Sequence, residues 1–129
     1  MTAQLLAELP PVLFSGITGG PIDHRELDFR PVRSNGRVGI EMHQLYSTEE
    51  TGADGPAAAI VRYAPGATTA PHRHPGYETI YVLSGVLETD DGVYPANSLL
   101  VMPPDSVHAP RSPEGCLVLV VWEQPVHLA

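Results

Sequence analysis

Proline and glycine interrupt this chain along its whole length, with fourteen of the first and twelve of the second among 129 residues. Proline lacks a backbone N–H and clashes with the preceding helical turn, while glycine gives up the most backbone entropy in a helix, so long helices are excluded. What remains is a series of short strands joined by turns. Apolar and β-branched runs between the breaks predict strands at Asp28–Pro31, Arg37–Tyr46, Ala57–Ala64, Thr68–His74, Tyr77–Leu83, Gly85–Thr89, Gly92–Tyr94, Ser98–Met102, Val107–Pro110 and Cys116–Glu123. Without helices to make parallel crossovers, such a string of strands packs as an all-β, double-sheet jelly roll. The one helical candidate is Thr2–Leu9, where Leu5, Leu6 and Leu9 sit at helical spacing; it is short for an isolated helix, so docking and disorder both stay open. Ser47–Pro56 is polar, acidic and glycine-bearing, and reads as an exposed loop.

At this length the chain can bury roughly two-thirds of the surface its unfolded form exposes, enough for a single core and a single domain. It divides into an N-terminal extension with an edge strand (1–37), a barrel (38–124) and a C-terminal tail (125–129). Fifteen acidic against seven basic residues give a formal net charge of −8, which favours solubility and repels nucleic-acid phosphates. The single cysteine, Cys116, excludes an internal disulfide, and the first arginine is Arg25, so the start lacks the basic opening of a secretory signal. No apolar run has the length of a membrane span. These features predict a cytoplasmic protein with neither nucleic-acid nor membrane partners.

Residues two apart on an extended strand project to the same side, so His72 and His74 present both imidazoles together while Arg73 points away. Pro75-Gly76 breaks that strand, and Tyr77–Leu83 restarts it with Glu78 near its beginning. A fourth candidate, His108, follows Met102-Pro103-Pro104, where a turn and a strand start would deliver it to the same cavity. Three imidazoles and a carboxylate make a mixed nitrogen and oxygen donor set suited to one divalent ion per chain: Fe(II) or Zn(II) first, with Mn(II), Ni(II) or Cu(II) as alternatives. Calcium would require more oxygens. Positions left open on the ion would take a small-molecule ligand or substrate.

The run from Gly66 to Gly85 resembles the first motif of the cupins, G-x5-H-x-H-x3-E-x6-G: Gly66, His72, His74, Glu78 and Gly85 fill every fixed position. The second motif, G-x5-P-x-G-x2-H-x3-N, is matched by Pro103 and His108, with Asn97, Asp105 and Ser112 where glycine, glycine and asparagine would stand. Asparagine and aspartate are the non-glycine residues that best tolerate left-handed turns, so these departures are mild for the fold. His72-Arg73-His74-Pro75-Gly76, the hairpin Asp91–Pro95 and the run His108–Cys116 narrow the likeness to cupin domains of the ChrR type, over roughly Val38 to Gln124. The resemblance implies a cupin double-stranded β-helix, His72, His74, Glu78 and His108 as metal ligands, and a homodimer. Some dioxygenase cupins bind iron through histidines alone, which leaves open a Glu78 that lines the barrel without touching the ion.

Proteins of this type include metal-binding C-terminal halves of anti-sigma factors and stand-alone relatives similar to small metal-dependent dioxygenases, such as the acetylacetone-cleaving kind. The implied function is a metal-dependent, Fe(II)-type dioxygenase or related enzyme acting on a small oxygen-bearing metabolite. The alternatives are a zinc-binding sensor or regulatory cupin without turnover, and a metal-dependent isomerase, cyclase or lyase in which the ion polarises a carbonyl. Nothing before Val38 offers the His and Cys pattern or the helical length of a sigma-binding domain.

Around the site, Ile80 and Val82 share the face of Glu78 and would make an apolar pocket wall, with Thr79 and Tyr81 on the opposite face. Arg62, Met102, Cys116 and Trp122 would shape a substrate if they turned inward; Cys116 and Trp122 sit on an alternating apolar strand and otherwise simply pack. Arg62, in a strand of Ala, Ile, Val and Tyr, must find an anion or water. His43 alternates with Glu41 and Leu45 and reads as structural or surface, while His24 and His127, near the termini, read as solvated.

Overall fold

The computed structural model describes residues 27–129, so the helix candidate Thr2–Leu9 and His24 lie outside the described residues. Within them the strands run β1 (Arg30–Pro31), β2 (Val38–Tyr46), β3 (Ala57–Thr68), β4 (His72–Arg73), β5 (Glu78–Thr89), β6 (Gly92–Pro95), β7 (Leu99–Met102), β8 (Val107–His108), β9 (Arg111–Ser112), β10 (Cys116–Trp122) and β11 (His127–Leu128). They form two sheets. One has the order β1-β2-β3-β10-β5-β6, with β7 added to β5 and β9 bridging β3 and β5; the other has the order β11-β4-β8. This is the nearly all-β barrel that the punctuation of the chain predicts, and no helix among the described residues is long and apolar enough to cross a membrane.

Alternation along the strands sorts side chains to two faces. Ile40 and Met42 of β2, Val61 and Tyr63 of β3, Ile80 and Val82 of β5, and Val118 and Val120 of β10 belong to one buried cluster, the barrel interior. Ile60, Leu83 and Leu117 form a second cluster, backed by Phe29, Leu45, Tyr81 and Leu119. Register explains the first: Met42 stands opposite Val61, Val61 opposite Val118, and Val118 opposite Val82, an apolar row crossing four strands.

Several elements differ from expectation. The runs Tyr77–Leu83 and Gly85–Thr89 are one strand, β5, which continues through Ser84-Gly85 with a shift of register. Leu117 opposes Ser84 while Val118 opposes Val82, so Leu83 is the extra residue of a β-bulge. Gly85 has φ +74, and a Cβ there would run into the carbonyl oxygen of Gly115, so only glycine suits the position. β3 runs on to Thr68 because Ala67 and Thr68 pair with Ser112 and Arg111 of β9. Within the loop Ser47–Pro56 there is one helical turn, α1 (Thr48–Thr51). The Ser47 hydroxyl accepts from Glu49 N–H at 3.2 Å, and the Glu50 carboxylate accepts from Ser47 N–H at 2.7 Å, closing a capping box. The C-terminal residues pair as well, His127 with Arg73 and Leu128 with His72.

Candidate metal centre

His72 and His108 are direct register partners across β4 and β8. His74 stands just beyond β4, and the turn before β8 grips its backbone: His74 N–H donates to Ser106 O at 3.0 Å, and Asp105 N–H donates to His74 O at 2.7 Å. Asp105 and Asn97 both have φ +70, so the two residues that replace glycine in the second motif take the left-handed conformation they tolerate best. Glu78 comes from the other sheet, at the start of β5, flanked in register by Trp122 on β10 and Met102 on β7. All four side chains are buried, and their ligand atoms lie within 4.8 Å of one another.

Hydrogen bonds behind the rings decide which nitrogen carries the proton. The Ser106 hydroxyl donates to Pro103 O at 2.6 Å, and a hydroxyl has one proton to give, so its oxygen accepts from His74 Nδ1–H at 2.9 Å. His72 Nδ1 lies 3.2 Å from Ala70 O, which can only accept. Both rings therefore keep Nε2 as the lone-pair atom, the arrangement such acceptors impose on metal-binding imidazoles.

Glu78 Oε1 sits 3.0 Å from His74 Nε2 and 3.1 Å from His108 Nε2. Those approaches miss hydrogen-bond geometry, and His74 Nε2, Glu78 Oε1 and both His108 nitrogens are buried without a hydrogen-bond partner. Each unmatched group costs about 1–3 kcal/mol. A divalent cation answers that deficit, since two ligand atoms about 2.1 Å from one ion and at right angles are about 3 Å apart. The donor set fits a metal ion and could hold one.

The protonation states agree with that chemistry. Burial alone would push the Glu78 carboxyl up, but in the metal-free chain His108 and His74, when their Nε2 atoms carry a proton toward it, outweigh burial and hold it at about 2. His72 is lowered to about 4, by burial first and then by His108. At neutral pH Glu78 is a carboxylate and His72 a neutral imidazole, as coordination requires.

A cavity of about 20 Å³ adjoins His72 and Glu78, about the room one water needs. A larger cavity of about 320 Å³ shares Arg37, Met42 and Trp122 with it. Ile80 and Trp122 line the inner cavity, while Val82 and Met102 pack in the barrel core. Arg62 points the other way: it pairs with Glu41 at 2.7 Å and lies 4.0 Å over the Phe29 ring. Val61 and Tyr63 face the interior, so the residue between them cannot.

Among the cavity residues that escaped the sequence reading are two with polar groups to offer, Arg37 and Tyr63. The phenol of Tyr63 is pushed up by burial, Cys116 and Glu78, which keeps it a neutral donor. The alternation that places Val61 inside would have flagged Tyr63; no local signal marks Arg37. His43 is buried and its Nδ1 accepts from Asp28 N–H at 3.1 Å, a structural role. His127 is exposed on β11, and Cys116 packs in the core with its thiol pushed up to about 11 by burial.

A family model described as a ChrR Cupin-like domain matches residues 21–127. Among solved structures, the chain is similar to an acetylacetone dioxygenase from Acinetobacter johnsonii, 21% identical with a TM-score of 0.67 over 76% of this chain and 69% of that one. It is similar to the polyketide cyclase RemF from Streptomyces resistomycificus, 24% identical with a TM-score of 0.67 over 85% of this chain and 84% of that one. It also resembles the structure of Rhodobacter sphaeroides SigE in complex with the anti-sigma ChrR, 17% identical with a TM-score of 0.60 over 74% of this chain and 48% of that one. At these identities the likeness shows a shared fold. Among curated proteins none matches the chain. With its barrel, its motif residues gathered at one point and a family match over most of its length, the chain belongs to the ChrR cupin-like family.

Proposed function

We propose that the chain is a metal-dependent enzyme acting on a small oxygen-bearing metabolite, with the ion held by His72, His74, Glu78 and His108. The observation that carries this reading is a buried, unsatisfied donor set beside a small inner cavity that shares Arg37, Met42 and Trp122 with one of about 320 Å³. That volume lies in the range of small-molecule sites, and Arg37, Met42 and Trp122 line both cavities, so the outer one lies next to the inner one that touches His72 and Glu78.

An ion in this set would supply Lewis-acid polarisation of a bound oxygen and, if it is iron, redox chemistry with O2. The chain supplies the rest. Ala70 and Ser106 hold the tautomers of His72 and His74, and Glu78 provides negative charge. The neutral phenol of Tyr63 can donate a hydrogen bond to an oxygen on which charge develops, while Val61, Ile80 and Val120 form the apolar part of the inner cavity wall.

Dioxygenation is the chemistry placed first, by likeness to the acetylacetone dioxygenase; a cyclase reaction like that of RemF is the non-redox version of the same site. The family match favours a second reading, a zinc-holding regulator of the ChrR kind. The buried, raised thiol of Cys116 argues against oxidant sensing through cysteine in that case. Elemental analysis of anaerobically purified protein, followed by O2 uptake with diketones, thiols and hydroxy acids, tests these readings. Iron with substrate-dependent uptake supports the oxygenase, zinc without turnover supports the regulator, and a chain without stoichiometric metal overturns both.

A further inference from the structure

Arg37 stands immediately before β2 and lines both the 320 Å³ cavity and the inner cavity that touches His72 and Glu78. Arg30, Arg62, Arg73 and Arg111 each pair with an acid: Asp28, Glu41, Asp105 and Asp90 respectively. Among the described residues Arg33 and Arg37 form no such pair, and of the two Arg33 is exposed to water whereas Arg37 is half-buried on the cavity wall. Its Nη1 donates to Ser34 O at 3.2 Å and to Ser34 Oγ at 3.1 Å, which leaves the Nε and Nη2 donors of the fork unspent. Burial disfavours the cation, and Tyr63 and Glu78 pull in the opposite sense. A half-buried guanidinium with spare donors on a cavity wall is costly unless an anion comes to it.

We infer that Arg37 binds the anionic end of the substrate, which makes the substrate class a small carboxylate that also carries a carbonyl, enol or hydroxyl oxygen. This rests on the metal-enzyme reading above for the second oxygen only. A carboxylate matches the planar fork of arginine in two parallel hydrogen bonds, a geometry that lysine does not offer. With its acid end at Arg37, a molecule in the outer cavity lays its carbon chain against Met42 and Trp122, and its other oxygen reaches toward Glu78 and His72. A local cation is also what an anionic substrate needs on a chain of net charge −8.

The test uses two probes of the same shape, 4-oxopentanoate and the uncharged hexane-2,5-dione, titrated calorimetrically into the zinc-loaded chain. Wild type should bind the acid about tenfold or more tighter than the dione, since hydrogen bonds to charged groups are worth that much. Arg37→Gln should erase the preference and leave dione affinity as it was, and Arg37→Lys should keep part of it, with zinc content and circular dichroism unchanged in both. Equal binding of the two probes by wild type, a preference that survives Arg37→Gln, or no saturable binding of 4-oxopentanoate would each overturn the assignment. If Arg37→Gln does not fold, the wild-type preference and its reduction in Arg37→Lys decide the matter. Repeating the titration on metal-free chain separates the two readings. Charge preference without metal uptake keeps the anion site and sinks the metal enzyme, whereas stoichiometric metal without charge preference does the reverse.

Discussion

His43 and His74 are both buried, at 8% and 1% exposure, and differ in what their rings touch. His43 has a backbone partner, Asp28 N–H, while the Nε2 of His74 faces Glu78 with no hydrogen bond to satisfy it. His72→Ala and His74→Ala should therefore abolish stoichiometric metal in purified protein. His43→Ala should keep the metal and cost about 1–3 kcal/mol of stability as Asp28 N–H loses its acceptor. Equal metal content in the three variants would refute the ligand set. The same rings set a pH dependence. His72 ordinarily titrates at 6.5 and in the fold at about 4, so between those values the unfolded chain takes up a proton that the folded chain refuses. Metal-free protein should lose stability as pH falls from 6.5 to 4, with no contribution from His72 above that window. Glu78, at about 2 against 4.5, adds stability that is present above pH 4.5 and fades below it. Urea midpoints measured from pH 7 to pH 4.5 should fall in wild type and flatten in His72→Gln; a wild-type midpoint that does not move would sink the argument.

Among the elements, the long strands were legible because alternation repeats often enough to be read. β2, β5 and β10 each hold several inward residues in register. The two-residue strands β9 and β11 carry no period, and exist because Ala67, Thr68 and Glu88 come to meet one and Arg73 and His72 the other. The helical turn α1 was legible in principle, since Ser47-Thr48-Glu49-Glu50 spells a capping box inside a run that otherwise reads as loop. β5 tests the reasoning most sharply. Its bulge depends on Gly85, where alanine would meet a left-handed backbone and the Gly115 carbonyl together. Gly85→Ala should cost about 3 kcal/mol, the sum of a left-handed penalty and local overpacking. A urea midpoint within about 1 kcal/mol of wild type would show that the strand can relax around the methyl group.

At the scale of the whole molecule, the site joins two sheets: Glu78 starts β5 of the larger one, and His72 and His108 pair within the smaller. An ion bound there ties the sheets together only in the folded state, so it must stabilise the fold by mass action. Metal at about a hundred times its dissociation constant should raise the unfolding temperature by roughly 10 °C over chelator-treated protein, measured by calorimetry. An unfolding temperature indifferent to chelator would contradict a site that bridges the sheets. The chain by itself determined the all-β class and the identity of the four clustered side chains, because strand alternation and turn chemistry act over a few residues and leave a local trace. Only the tertiary structure decided that Arg62 faces outward to Glu41 while Arg37, with no local mark, reaches the cavity wall. The reason is that a side chain's destination depends on which strand lies across from it. That pairing is set by register between segments far apart in the chain.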